Sequence, residues 1–342
     1  MPEERKVRLQ QLDTAEKRKL ALEVPPRHRS RGHAPAGGRR ERVISLTSLP
    51  DRMGDMYLAV YSLLDQTAEF DRLVLWLGDK FFPEKESGLP AELVGLERYG
   101  LEIRFREDLG PYTKLVYALR EFPEADVITA DDDLYYGETW LQQLLDAQKR
   151  HPGQIIAHRC HEITFDASGK VKNYAAWLFE QVNTELSYRN FLTGVGGVLY
   201  PAHSLYRDAT DRELFLKLSP TADDVWFWAM AVLNGRKIFC ADNPYVYPDF
   251  INLSRHLDEK GKACLHFVNL GGSRNDRYLE NVFRHYPRLR KRLLGRVYYL
   301  TPLIGVARAL RRAVKMLLPY GAVRLYQKWK YGKDLHPGNG GS

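Results

Sequence analysis

Hydrophobic and polar positions follow two alternating spacings through the first half of the chain. Short apolar runs rich in β-branched residues, typical of buried strands, occur in RVISLTSLP, DRLVLWLG, LEIRFRED and ADVITADDD. Between and after these runs, helical spacing occurs in MYLAVYSLLDQ, PYTKLVYALREF and GETWLQQLLDAQKRH. Strands that alternate with helices in this way predict an α/β fold, with a mostly parallel sheet and helices on both of its faces.

The pattern of the second half is less regular. QIIAHRCHEITF and KVKNYAAW are strand-like, and FLTGVGGVLYPA is typical of a glycine-rich loop that enters a strand. SPTADDVWFWAMAVLNGRKIFC predicts an acidic helix start, a helix, a glycine stop and a further strand. We therefore expect the α/β domain to continue to residue 285.

The overall composition is that of a globular protein, but its charge is unevenly divided along the chain. Hydrophobic residues make up 44% and charged residues 27%, which excludes wholesale disorder and fibrous repeats. The net charge of +8 is the sum of +6 over residues 1–42, −11 over 43–283 and +13 over 284–342. The acidic middle argues against a nucleic-acid-binding module with basic arms, which stays open as an alternative from another class of protein.

These patterns predict three regions. Residues 1–41, charged and then rich in Pro, Gly and Arg, predict a largely mobile arm, and residues 42–285 predict the α/β domain. Residues 286–342 predict a basic amphipathic region. We expect a cytoplasmic location, because the sequence has no apolar signal stretch or spanning window, and its three cysteines form no C-x-x-C pair.

The C-terminal region suggests a membrane partner. One helical stripe of apolar side chains comprises Leu303, Val306, Ala307, Leu310, Val314, Leu317 and Leu318. Basic side chains lie off that stripe, and acidic residues are almost absent. This pattern predicts that residues 288–331 bind an anionic membrane surface on its cytoplasmic face. A helix docked on the catalytic domain is the alternative.

Three adjacent carboxylates, Asp131, Asp132 and Asp133, follow the apolar run VITA at the end of a predicted buried strand. Like charges this close repel one another unless a cation or protons neutralise them. A hard divalent ion, Mg²⁺ or Mn²⁺, held by one or two carboxylates and substrate phosphates, is a usual solution. The alternative is an exposed acidic turn at the positive end of the next helix.

A second candidate group lies further along the chain. The glycines in Thr193–Gly197, including Gly196 and Gly197, would let the backbone pass close to a ligand. Asp223 and Asp224 at a predicted helix start offer a general base and a carboxylate that orients it. For Asp223, helix N-capping is the more ordinary interpretation.

Six blocks in this order resemble GT-A-fold glycosyltransferases, in particular a bacterial polysaccharide and lipopolysaccharide branch. The blocks are RVISLTSLPDR, SLLDQ, DLGPYTK, VITADDDLYY, TGVGGVLYP and DDVWFWAMAVLNG, which together span roughly residues 42–285. The resemblance implies a nucleotide-sugar donor whose diphosphate is bridged by Mn²⁺ or Mg²⁺ to a D-x-D motif, here Asp131 and Asp133 around Asp132. It also implies that Asp224, the second member of the acidic pair, is the base, with Asp223 as its neighbour.

The resemblance implies further donor contacts. Thr47 and Arg52 would lie near the nucleobase or ribose, and Lys114 would neutralise the diphosphate or position the first carboxylates. Many GT-A enzymes add a C-terminal histidine to the metal site, for which His256 and His266 are the candidates.

We therefore expect a metal-dependent, inverting glycosyltransferase that extends a glycan or lipid-linked acceptor in cell-surface polysaccharide biosynthesis. UDP is the default nucleotide by resemblance alone. A sugar nucleotidyltransferase of similar fold is the nearest alternative. SLTSLPDR lacks the glycine-rich basic loop that such enzymes carry after the first strand.

Overall fold

A mixed seven-stranded sheet forms the centre of the part of the chain that the structure describes. The computed structural model describes residues 14–27, 38–166, 169–181, 185–241, 249–252 and 274–294. The strands are β1 (Arg42–Ser48), β2 (Arg72–Gly78), β3 (Leu101–Arg106), β4 (Asp126–Thr129), β5 (Ile155–Ala157), β6 (Cys160–Glu162), β7 (Leu178–Gln181), β8 (Asn190–Leu192), β9 (Val198–Tyr200) and β10 (Ile238–Cys240). Their order across the sheet is β10-β5-β9-β4-β1-β2-β3.

The α-helices lie mainly between strands of this sheet. They are α1 (Thr14–Glu23), α2 (Tyr57–Leu64), α3 (Ala91–Val94), α4 (Thr113–Glu121), α5 (Trp140–Arg150), α6 (Arg212–Leu218), α7 (Asp223–Leu233), α8 (Arg274–His285) and α9 (Arg288–Leu294). Short 3₁₀ helices occur at Pro50–Arg52, Lys85–Gly88, Glu97–Tyr99, Gly110–Tyr112, Tyr174–Ala176 and Arg207–Thr210. The prediction of alternating strands and helices over the first half of the domain, residues 42–151, is confirmed.

The sheet is mostly parallel, as predicted. Strand β1 pairs in parallel with both β2 and β4, β2 with β3, and β5 with β10. Strand β9 is antiparallel to β4 and β5, between which it lies. It follows β8 through a short glycine-containing loop.

Alternation along the strands explains why helices cover both faces. Val43 and Val74 face one apolar core, which includes side chains of α4 and α7. Ile44 and Leu73, each the sequence neighbour of one of these valines, face a second core formed with α2 and α5. Because successive strand residues point to opposite faces, the near-continuous apolar runs are buried on both sides.

A separate antiparallel sheet of three strands, ordered β7-β6-β8, stands beside the main one. Of the two strand-like segments predicted here, the first contributes β5 and β6. The prediction of a strand in KVKNYAAW is wrong. Val171 forms a single bridge to Phe165, and Tyr174–Ala176 form a 3₁₀ turn that buries Tyr174.

The predicted arm contains an ordered, docked segment. Helix α1 carries Lys17, which is buried against Asp249, and Arg27 binds Asp65 and Glu138. The basic residues that suggested a mobile arm therefore find carboxylates on the α/β domain, and the described residues 14–27 depart from that expectation.

The first compact unit of the chain extends past residue 285, where the predicted α/β domain ends. The chain divides into two compact units, Met1–Leu293 and Leu294–Ser342. Helix α9 buries Leu289 and Leu293, and its Arg292 donates a hydrogen bond of 2.6 Å to the carbonyl of Val232. Residues 288–293 of the predicted membrane-binding segment thus belong to the first unit, whereas the predicted apolar stripe lies outside the described residues. Within the described ranges, no helix is both long and apolar enough to cross a membrane.

Candidate active site

The carboxyl ends of β1 and β4 bring the first candidate group together. These strands are parallel neighbours, and Ala130 extends the ladder by donating to the carbonyl of Ser45 at 3.0 Å. The aspartate triplet therefore begins directly at the sheet edge, beside the 3₁₀ turn Pro50–Arg52 that follows β1. Ligands of open α/β sheets bind at this edge.

Arg52 holds two members of the triplet. Its guanidinium binds Asp132 and lies 3.1 Å from Oδ2 of Asp133. Ser48, the last residue of β1, donates its hydroxyl to Oδ2 of Asp132 at 2.5 Å. Burial opposes the charge of Arg52, but the two carboxylates nevertheless raise its pKa above the ordinary value. The residue predicted near the nucleobase or ribose is thus joined to the triplet itself.

Lys114 holds the third member. Its Nζ lies 2.5 Å from Oδ1 of Asp131, and its side chain is 12% exposed, so it is no solvated helix lysine. The start of α4 is fixed because Ser45 donates its hydroxyl to the Lys114 carbonyl and Trp76 donates to that hydroxyl. Although burial opposes its charge, Asp131 and Asp223 raise the pKa of Lys114.

Asp223 and Asp224 begin α7 and complete the cluster. The N-cap position is Ala222, so capping does not explain Asp223. The amide of Gly194 donates to Oδ1 of Asp224 at 2.8 Å. A methyl group on Gly194 would lie 3.3 Å from that oxygen and 3.4 Å from Nζ of Lys114. Lys114 therefore lies between the triplet and the second acidic pair.

The two carboxyls of this pair differ in their tendency to ionise. Burial and then the charge of Asp224 raise the pKa of Asp223. Burial also raises the pKa of Asp224, but Lys114 and the Gly194 amide oppose that rise. When the pair shares one proton, Asp223 is the preferred site of protonation. Asp224 then remains ionised and can act as a base.

Asp133 is the most accessible member of the triplet. Its side chain is 28% exposed, compared with 18% for Asp131 and 7% for Asp132. Burial and then the charges of Asp131 and Asp132 raise the pKa of Asp133 to about 6. An added cation at this carboxylate would relieve the repulsion.

The donor set suits a hard divalent ion only together with a ligand. Within the part of the chain that the structure describes, no group of three or more His, Cys, Asp or Glu side chains is arranged to hold a metal. Asp133 is partly exposed, and Asp131 is bound by Lys114 through one of its two oxygens, whereas Asp132 is buried and bound by Arg52 and Ser48. Mg²⁺ sites often have this form, with one or two carboxylates and substrate phosphates.

The glycine loop is explained largely by packing. Gly196 and Gly197 have φ of +88° and +104°, and Trp140 Nε1 donates to the Gly196 carbonyl at 2.6 Å. A methyl group on Gly197 would lie 2.5 Å from Cζ2 of Trp140. The buried Gly197 is therefore required by the indole, and partly exposed Gly196 stays a predicted donor contact.

Of the remaining predicted site residues, Thr47 lies within the described part of the chain and the two histidines do not. Thr47 lies at the end of β1, where its hydroxyl donates to the Trp76 carbonyl at 2.8 Å. His256 and His266 lie outside the described residues. Sequence reasoning missed Ser48 and the Gly194 amide, because neither a strand-end serine nor a backbone donor carries a distinctive pattern.

No protein-family model matches the chain, and no curated protein matches it. The resemblance to GT-A enzymes therefore depends on the six motif blocks, and what the structure adds is the placement of their polar residues.

The acidic cluster predicts a specific dependence of stability on pH. A carboxyl whose pKa is raised in the folded state binds its proton more tightly there, so it favours folding at low pH. That contribution is lost as pH rises through the folded-state pKa. For Asp223, whose pKa burial and Asp224 raise to about 8, the loss spans pH 4 to 8.

We expect Asp223→Asn to unfold at a higher temperature than wild type at pH 8.5, with the difference shrinking toward pH 4. Asp211→Asn at the exposed start of α6 is the control, since asparagine caps a helix about as well as aspartate. Thermal unfolding across this pH range measures the effect. Lower stability of Asp223→Asn at pH 8.5 would show that the pair is not mutually repulsive.

Proposed function

We propose that the protein is a metal-dependent glycosyltransferase of GT-A type, which moves a sugar from a nucleotide-sugar donor to a hydroxyl of a glycan or lipid-linked acceptor. One observation carries the proposal. Lys114 lies between Asp131 and the Asp223–Asp224 pair, so the predicted metal carboxylates and the predicted base belong to one cluster. The α/β sheet and the six motif blocks are consistent with it.

The donor diphosphate is assigned to the open edge at Asp133. Asp133 and Asp131 would hold Mn²⁺ or Mg²⁺, which would supply Lewis-acid stabilisation of the leaving nucleoside diphosphate. Arg52 fixes the orientation of Asp132 and Asp133. Lys114 adds positive charge beside Asp131, where negative charge grows on the leaving group.

The acceptor hydroxyl is assigned to Asp224. Its carboxylate takes the proton of the hydroxyl as the oxygen attacks the anomeric carbon and the bond to the diphosphate breaks. The Gly194 amide holds Oδ1, which leaves Oδ2 to accept the proton. One base and no protein nucleophile correspond to inversion at the anomeric carbon.

A panel of nucleotide sugars, assayed for slow hydrolysis with Mn²⁺ and then for transfer, tests this function. We expect one donor to release its nucleoside diphosphate faster than the others, and EDTA to stop the release. A parallel assay with nucleoside triphosphates and sugar phosphates covers the nucleotidyltransferase alternative. Pyrophosphate release in that assay, with all nucleotide sugars intact, would replace the proposal by the alternative.

We also propose that the protein acts at an anionic membrane surface. Support comes from the basic residues of 288–331, of which Arg288 and Lys291 are exposed on α9. Neutralising both in Arg288→Gln/Lys291→Gln should weaken vesicle binding about 30-fold, since each basic residue contributes roughly 1 kcal/mol.

Sedimentation of the full chain with anionic and with neutral vesicles measures this binding. The matched control is Lys170→Gln/Lys172→Gln, which neutralises two exposed lysines near β7 and should leave binding unchanged. Equal binding to both kinds of vesicle, or none to either, would assign the basic region to a protein partner or to packing.

A further inference from the structure

The N-terminal segment contacts the domain through buried charge pairs. Lys17 of α1 is 3% exposed, and its Nζ lies 2.6 and 2.5 Å from the two carboxylate oxygens of Asp249. Lysine is almost never this deeply buried without a paired charge. Nζ also lies 5.0 Å from the ring centroid of Tyr135, and Thr14 donates its hydroxyl to the Ile251 carbonyl at 3.0 Å.

The residues that α1 holds are themselves paired with the end of the aspartate triplet. The amide of Tyr135 donates to the Asp249 carbonyl at 2.8 Å, and the amide of Ile251 donates to the Asp133 carbonyl at 2.9 Å. Leu134 and Phe250 form the antiparallel bridge between these two bonds. Residues 249–251 therefore form a short strap along residues 133–135.

Lys17 links the strap to the loop that follows the aspartate triplet. It contacts the strap at the Asp249 carboxylate and the triplet loop at the Tyr135 ring, so one ammonium group touches both. The Asp249 side chain is 37% exposed, and Lys17 opposes the rise in its pKa that burial causes. Without Lys17, the strap would keep a carboxylate whose buried counter-charge is gone.

We propose that Lys17 is a positioning residue for Asp133, acting through Asp249 and the strap 249–251. It touches neither substrate nor metal in this arrangement. It fixes the backbone that carries the most accessible carboxylate of the site. The proposal rests on the proposed function for the role of Asp133, but the mechanical coupling of Lys17 to the loop stands separately.

The test compares full-length Lys17→Met and Lys17→Arg with wild type, and uses Lys19→Met as the matched control on an exposed position of α1. The first readout is hydrogen exchange of the amides of Tyr135 and Ile251, which donate the two strap bonds. The second is the affinity for Mn²⁺ with uridine diphosphate, measured by calorimetry.

We expect Lys17→Met to speed exchange at both amides and to weaken Mn²⁺·UDP binding by about tenfold, the lower end for loss of a group that orients a metal ligand. Lys17→Arg should retain most of the affinity, and Lys19→Met should match wild type. Asp249→Asn retains Lys17 but removes its paired charge, and it should reproduce the loss of Mn²⁺·UDP affinity. The double variant should bind no more weakly than either single variant.

Unchanged exchange at Tyr135 and Ile251 in both Lys17→Met and Asp249→Asn, with affinity within twofold of wild type, would overturn the proposal. Additive losses in the double variant would also overturn it, because they would mean that Lys17 acts by another route. If wild type itself fails to bind Mn²⁺·UDP, the proposed function fails, and the exchange rates alone decide the role of Lys17.

Discussion

Asp224→Asn is expected to lower the turnover of sugar transfer by about 10²- to 10⁴-fold, the usual range for loss of a general base. Asparagine keeps an Oδ1 that can accept the Gly194 amide bond, so the loop and α7 should stay in place. Donor binding should remain near that of wild type, since the diphosphate is assigned to Asp133 on the other side of Lys114.

The pH profile provides a second measure of the same variant. Wild-type turnover should fall as pH drops through the pKa of Asp224, because a protonated carboxyl cannot accept the hydroxyl proton. The acid limb should disappear in Asp224→Asn. Asp223→Asn is the control at the neighbouring position and should lose less activity. If Asp224→Asn instead weakens donor affinity strongly while the donor that does bind turns over at the wild-type rate, Asp224 is a donor ligand.

Asp133→Asn should reduce transfer by about three orders of magnitude, because Lewis-acid stabilisation of the leaving group is worth several kcal/mol and about 1.4 kcal/mol corresponds to tenfold. Its thermal stability should not fall, since the substitution removes a charge repelled by Asp131 and Asp132. The combination of lost activity and retained stability separates a site residue from a folding defect.

Asp79→Asn is the matched control for Asp133→Asn. Asp79 follows β2 at the same edge of the sheet, but its carboxylate is exposed and pairs with Lys85. It should have wild-type activity. Full activity of Asp133→Asn and of Asp131→Asn, or full activity of wild type in EDTA, would remove the metal site from the triplet.

The sequence predicted the parts of the fold that local patterns determine. Buried parallel strands produce long apolar runs such as RLVLWLG, and helical spacing marks the segments between and after them, so β1–β4 and helices α2, α4 and α5 could be recognised from spacing alone. The short helix α3 was not predicted. The position of Asp131–Asp133 followed directly, because it needs only the end of one strand.

Contacts between distant residues could not be predicted in this way. The repulsion argument for a metal at the triplet did not include Arg52, which supplies counter-charge from another element, and only the family resemblance suggested that Lys114 could position these carboxylates. The docking of α1 depends on the Lys17–Asp249 pair, 232 positions apart in sequence. A basic segment has the same composition whether its charges face water or a carboxylate. The sequence of residues 1–41 therefore could not show that part of the predicted arm docks on the domain.

Titration of uridine diphosphate into the wild-type protein, once with Mn²⁺ and once with EDTA, tests most directly whether this acidic edge is a metal-dependent nucleotide site. We expect binding with Mn²⁺ that disappears in EDTA and in Asp133→Asn. Equal affinity with and without metal, or no binding under either condition by protein that folds normally, would contradict the proposed site.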